Sequence, residues 1–112
     1  GKLLGKGTAT KGRVYAPGAV ADLDRDGRKE IVVGGKEGTV AAYELRAGGL
    51  RLEQGWPAST CSGGECPETR GLAAADLDGD GRVEVIATTT NTVAAINSLG
   101  SACAPPMVAN RT

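Results

Sequence analysis

The amino-acid sequence predicts an all-β protein built from two four-stranded antiparallel units in tandem, and three observations carry that expectation. A nine-residue acidic stretch occurs twice, as Asp22-Leu23-Asp24-Arg25-Asp26-Gly27-Arg28-Lys29-Glu30 and, 54 positions later, as Asp76-Leu77-Asp78-Gly79-Asp80-Gly81-Arg82-Val83-Glu84. Each copy runs into a short apolar stretch, Ile31-Val32-Val33-Gly34 and Val85-Ile86-Ala87-Thr88, whose β-branched residues favour strand over helix. The 18 glycines and 5 prolines divide the remainder into pieces suited to short strands and turns.

Taken in order, Gly1 to Thr10 reads as one strand and its turn, loosely similar to Gly49 to Thr60 at the end of the first full repeat. Val14 to Leu23 leads into the first acidic loop. Ile31 to Gly34 is apolar without alternation, the mark of a strand covered on both faces. Lys36-Glu37-Gly38 turns the chain into the next strand, Thr39 to Glu44. Ala47-Gly48-Gly49 turns again, Leu50 to Gln54 forms the fourth strand, and Gly55-Trp56-Pro57 ends it. The second unit repeats the order with Leu72 to Ala75, the acidic loop, Val83 to Thr88, and Thr92 to Asn97, where Thr92-Val93-Ala94-Ala95 duplicates Thr39-Val40-Ala41-Ala42. No fourth strand is evident after it, and Ser98 to Thr112, with Pro105-Pro106, reads as an irregular tail. The expected organisation is a single domain over 1–112. About 1–60 is the first repeat with an N-terminal closing strand, and about 61–112 is the second repeat and tail. Gly1 to Lys6 is expected to supply the strand that the second unit lacks.

The acidic stretches read D-x-D-x-D-G-x-x-E. Carboxylates at alternate positions, a glycine for the sharp turn and a closing Glu make the oxygen-rich cage that a hard cation such as calcium requires. Without a cation, the like charges oppose one another. An EF-hand would need a bidentate Glu at position 12 and flanking helices. Position 12 is Val33 or Ala87, and strands follow, so position nine must close the site. The expected ligands are Asp22, Asp24, Asp26 and Glu30 with the carbonyl of Arg28, and Asp76, Asp78, Asp80 and Glu84 with the carbonyl of Arg82, for two Ca2+ sites. Magnesium, which keeps waters and prefers an octahedral shell, fits less well. Arg25, Arg28 and Lys29 offset part of the charge of the first cage.

The pattern A-D-L-D-x-D-G-x-x-E followed by a short apolar strand, at this spacing, resembles the VCBS/FG-GAP repeat of calcium-binding β-propellers, the class that includes the integrin α-subunit head. The resemblance covers most of the chain and implies propeller-type blades. The integrin Phe-Gly is replaced by Ala16-Pro17-Gly18, and the Gly-Ala-Pro by Gly34-Gly35 and Thr88-Thr89-Thr90. The metal loop is therefore carried over and an adhesion-receptor role is not. Propellers take four to eight blades, and stacked repeats need at least three units. The chain is thus expected either to associate with copies of itself, Gly1 to Lys6 completing the next subunit's blade in a ring or filament, or to be a piece of a longer propeller. The start at Gly1 agrees with a processed or excised product.

Composition narrows the function classes. Net charge is zero, which recommends neither nucleic acid nor an anionic membrane as partner, and no run is long enough to insert into a membrane. Phe is missing, so the core must come from Ala, Val, Leu and Ile. Cys61 and Cys66 flank a Gly-rich loop that a local disulfide would pin, in keeping with an extracellular, secreted protein. The alternative is three reduced thiols in an intracellular one. Cys103 is left over and could bridge to another chain, and zinc has too few soft ligands. Asn110-Arg111-Thr112 matches the N-glycosylation pattern, making Asn110 a candidate glycan site. Trp56 is either core packing or a stacking platform for sugar. There is no His to serve a Ser or Cys nucleophile. Some family members degrade polysaccharides, yet among Glu37, Glu44, Glu53, Glu65 and Glu68 no spacing singles out a glycosidase pair. The function expected is that of a calcium-binding extracellular structural or adhesive repeat protein, not an enzyme, with a carbohydrate-binding, lectin-like propeller module as the alternative.

Overall fold

The computed structural model describes residues 18–46, 48–61 and 64–101, and the backbone of 107–108. The expected strand Gly1 to Lys6, Cys103 and Asn110 lie outside the described residues. Every described element is a strand, and the strands form two antiparallel sheets.

In the first sheet, β1 (Ala19–Ala21), β2 (Glu30–Gly34), β3 (Thr39–Arg46) and β4 (Gly49–Leu52) lie side by side in chain order. β3 is long enough to serve two partners along one edge. Its second half, from Tyr43, pairs with β4, and its first two residues pair with a short β5 (Ala58–Ser59). The second sheet repeats the plan with β6 (Thr69–Ala75), β7 (Glu84–Thr89), β8 (Thr92–Ile96) and β9 (Met107–Val108). The registers that frame the acidic loops match: Ala21 faces Glu30 in one hairpin and Ala75 faces Glu84 in the other. Each loop is thus held by the last residue of one strand and the first of the next.

The structure corrects the sequence reading at several points. The segment read as an irregular tail returns a short strand, with Thr92 opposite Val108 and Val93 opposite Met107. Two residues show too little alternation to be found from the sequence. β5 is equally short and carries no alternation of its own; it follows a cis Trp56–Pro57 peptide. β6 begins at Thr69, ahead of the expected Leu72, with a register shift between Thr69 and Gly71. β2 is covered on one face only: Glu30, Val32 and Gly34 are buried, whereas Ile31 is 37% exposed. Apolarity on both faces therefore does not require two covered faces, as Ile31 shows.

One core joins both sheets. Leu23, Val32, Val40, Ala42, Trp56 and Ala58 meet Val85, Ala87 and Ile96. Burial of each large aliphatic side chain contributes roughly 1.5–3 kcal/mol. Small residues set the separation of the sheets, since a Cβ on Gly34 of β2 would run into the side chain of Thr69 in β6. At the other side, the indole N–H of Trp56 donates to the Ser98 carbonyl at 3.2 Å, and the backbone of Gly55 packs against that of Leu99. Repeat-equivalent residues fare differently at one place. Leu23 is fully buried in the shared core, while Leu77, at the same loop position of the second unit, is 58% exposed.

Gly48 and Gly55 both have left-handed backbone, with φ of 92° and 90°, but only Gly55 is also crowded. Gly48→Ala is expected to destabilise by about 1–2 kcal/mol, the strain of that conformation alone. Gly55→Ala adds a collision with the Leu99 carbonyl and is expected to lose clearly more in denaturant unfolding. Equal losses would show that the close approach of these two segments contributes nothing.

Candidate metal centres

Each acidic loop is shaped by its own carboxylates. The Asp22 carboxylate accepts the backbone N–H groups of Asp26 (3.2 Å) and Gly27 (2.9 Å), Asp24 accepts that of Asp26 (3.2 Å), and Asp26 accepts that of Arg28 (2.7 Å). In the second loop Asp76 accepts from Gly79 (2.9 Å), Asp80 (3.2 Å) and Gly81 (2.8 Å), Asp78 from Asp80 (3.1 Å), and Asp80 from Arg82 (2.8 Å). Short acidic side chains that bind backbone a few residues ahead curl the chain without regular structure. The closing residues act alike. Glu30 Oε1 accepts the Leu23 N–H and Glu84 Oε1 the Leu77 N–H, both at 2.7 Å, so the end of each loop is tied to its beginning.

The turn needs left-handed backbone at positions four and six. Position six is Gly in both loops, with φ of 84° at Gly27 and 85° at Gly81. Position four is Gly79 (φ 77°) in one loop and Arg25 (φ 62°) in the other, a conformation that costs a side chain roughly 1–2 kcal/mol.

All eight carboxylates expected as ligands are brought together in their two sets. Ligand oxygens of Asp22, Asp24, Asp26 and Glu30 lie within 4.8 Å of one another, and those of Asp76, Asp78, Asp80 and Glu84 do likewise. A calcium ion with oxygens at 2.3–2.6 Å spans roughly twice that distance across its shell. Arg28 and Arg82 sit in the loops with their N–H groups turned to Asp26 and Asp80. The donor set contains only oxygen, which suits a hard cation. Glu30 Oε2 is buried and has no hydrogen-bond partner, a state that calls for a cation or a proton.

The sequence reading missed two participants. Glu44 and Glu53, from β3 and the turn after β4, converge with Asp24 and Glu30 into a further acidic set. Glu44 is committed elsewhere, with Arg46 at 2.9 Å and Arg51 at 2.7 Å. Those guanidiniums hold its carboxyl down at about 2. Glu53 is raised by burial and by the charges of Asp24 and Glu44. Burial, reinforced by Asp24, Glu53 and Asp26, pushes Glu30 up to about 7. The N–H of Arg28 lowers Asp26, burial and the neighbouring Asp26 raise Asp24, and the N–H of Gly81 lowers Asp76. A groove of about 410 Å³ beside the first loop is lined by Asp24, Glu44, Arg46, Arg51 and Glu53, and one of about 340 Å³ beside the second by Asp78, Asp80, Glu84, Asn97 and Ser98.

Cys61 and Cys66 are joined by a disulfide, with Cα atoms 4.2 Å apart. Trp56 is 5% exposed, its ring in the core and its N–H on Ser98, so it offers no open face for a sugar. That removes it as a stacking platform. No described helix is long and apolar enough to cross a membrane.

Fold and loops together define a β-repeat protein of the blade type, in which each unit carries one acidic loop between its first two strands. A family model described as an FG-GAP-like repeat matches residues 8–87, and the chain belongs to that family. The repeat is a structural and binding fold, not typically a catalytic one, and is often extracellular. No curated protein and no solved structure matches the chain significantly.

The raised Glu30 carboxyl is expected to make the stability of the metal-free protein pH-dependent. Its folded pKa, about 7, lies above the ordinary value of 4.5, so the folded state holds the proton more tightly than the unfolded one. That contribution to stability is complete below about 4.5 and is lost as pH rises through about 7. In chelator, urea unfolding is expected to show stability falling between these limits, and Glu30→Gln is expected to flatten the profile over that window. An unchanged slope in the variant would assign the dependence to another group.

Proposed function

We propose that the protein is a calcium-binding, extracellular structural or adhesive repeat module that works in an assembly of blades. The observation that carries this reading is the duplication of a complete four-carboxylate cage, with matching backbone hydrogen bonds, in repeat-equivalent hairpins. A cation relieves the repulsion within each cage and ties β1 to β2 and β6 to β7. The Cys61–Cys66 bridge supports an oxidising, extracellular setting. The role is non-catalytic on this reading, since there is no His and the carboxylates outside the loops are exposed, paired with Arg or gathered at the first cage. The sugar-binding alternative loses its support with the burial of Trp56.

Assembly is supported by Leu77. The same position in the first unit, Leu23, is covered in the core shared with the second sheet, so a further unit would cover Leu77 in the same way. That unit is another copy or a further repeat of a longer chain.

Extracellular calcium modules bind at about 0.1–1 mM, and a tenfold excess of ion over the dissociation constant stabilises by roughly 1.4 kcal/mol per site. Asp24→Ala and Asp78→Ala are each expected to lower the melting temperature in calcium and hardly at all in chelator. An equal drop in both conditions would remove the metal explanation. For assembly, light scattering in calcium is expected to give a discrete multiple of 11.3 kDa or a growing mass, with Leu77→Asp reducing it. A monomer whose mass ignores both calcium and Leu77→Asp would leave self-association without support.

A further inference from the structure

The two acidic loops share a motif, but their surroundings differ. Glu53 stands beside the first cage. Its N–H donates to the Ala42 carbonyl at 2.8 Å and its own carbonyl accepts the N–H of Trp56 at 3.1 Å, so the residue is anchored on both sides. The residue as a whole is 9% exposed. One carboxylate oxygen accepts the Gln54 N–H at 3.2 Å, while the other, Oε2, is buried without a partner. The only other carboxylate oxygen in that condition among the described residues is Glu30 Oε2. Both residues belong to one set, whose ligand oxygens lie within 4.8 Å of one another and include Asp24 of the loop. The remaining member, Glu44, is occupied by Arg46 and Arg51 and is not free to bind an ion.

Among the described residues the second loop has no such neighbour. No Asp or Glu follows Glu84 in the sequence, and the groove beside that loop is lined by Asn97, Ser98 and Leu99 instead. Asn97, which falls opposite Glu44 in the repeat, spends its side-chain oxygen on the N–H groups of Leu99 and Ser101 at 3.0 Å. In addition, the Arg25 guanidinium reaches toward the second loop, lying 3.8 Å from where a Cβ on Gly81 would stand. That places positive charge at the rim of the second cage, as Arg46 and Arg51 do beside the first, so the difference between the two lies in Glu53.

We propose that Glu53 is a ligand, from outside the repeated loop, of the divalent cation held by Asp22, Asp24, Asp26 and Glu30, and that the two sites are therefore unequal, the first being the tighter. This rests on the calcium reading above. Affinity in oxygen cages follows the number of charged ligands and the rigidity of the site. Glu53 adds to both, because it is a fifth carboxylate on a backbone already fixed by hydrogen bonds. It also links the cation to the turn after β4, so that loading the first site orders the first sheet beyond its own hairpin.

The test is calorimetric titration of stripped protein with calcium, using three versions of the full chain. Asp78→Ala with Asp80→Ala isolates the first site, Asp24→Ala with Asp26→Ala isolates the second, and Glu53→Gln is added to the first-site protein. One ion is expected per isolated site, the first bound about tenfold more tightly, and Glu53→Gln is expected to weaken it about tenfold. Glu53→Gln in the otherwise unaltered chain guards against misfolding of the multiple variants. There it is expected to raise the melting temperature in chelator, where it removes repulsion, and to reduce the gain on adding calcium. A residue needed only for packing would lower both. Unchanged first-site affinity in Glu53→Gln overturns the proposal and leaves the calcium reading intact. So does the binding of two ions by the first-site protein, since Glu53 would then serve a separate ion. If neither isolated loop binds calcium, both readings fall together.

Discussion

Four carboxylates gathered within the span of one ion's oxygen shell are the constraint around which this protein is arranged. Like charges at such separations repel strongly once partly shielded from water. The chain meets that repulsion with backbone N–H groups. In each loop the first Asp takes two or three of them, the third and fifth positions take one each, and the closing Glu takes the N–H of the second residue. Those hydrogen bonds define the turn, and the turn fixes the register of the strands on either side. The same registers carry the alternate residues that fill the core, so electrostatics in the loop and packing between the sheets are settled by one piece of geometry.

Much of this was legible in the sequence. The spacing D-x-D-x-D-G-x-x-E located eight converging carboxylates, because carboxylates at alternate positions and a Gly at the turn leave the chain few ways to curl. The Val and Ile runs marked β2 and β7, and the repeated Thr-Val-Ala-Ala marked β3 and β8. What escaped depends on contacts distant in sequence. Glu53 reaches the first cage only because β4 folds back along β3, and nothing in Leu-Arg-Leu-Glu announces that its acid is buried while the arginine is exposed. β5 and β9 are two-residue strands held by the edge of a longer neighbour, so their own side chains carry no strand signal. Trp56 faces the core because its N–H finds Ser98 across the gap between the sheets, a pairing over 42 residues that local patterning does not contain.

Repetition in sequence has not produced equivalence in environment. Arg25 and Gly79 occupy the same strained position of the loop, one with a side chain and one without. Glu44 and Asn97 occupy the same position after the repeated tetrapeptide; one pairs with two arginines and the other closes its own turn. A duplicated unit whose loops bring the same four carboxylates together can therefore still present two different electrostatic surroundings, because those surroundings are supplied largely by residues outside the duplicated motif.

The unequal fates of Leu23 and Leu77 have a consequence for symmetry. Leu23 lies in a core to which the second sheet contributes Val85, Ala87 and Ile96, so what covers this leucine is not a second leucine of the same kind but a different surface of the following unit. A contact of that sort is heterologous. Two such modules placed back to back about a twofold axis would bring Leu77 against Leu77 and leave each without its proper complement. An array in which each module covered the leucine of the one before would run in a single direction and so have a polarity, with one end that presents the leucine and another that receives it.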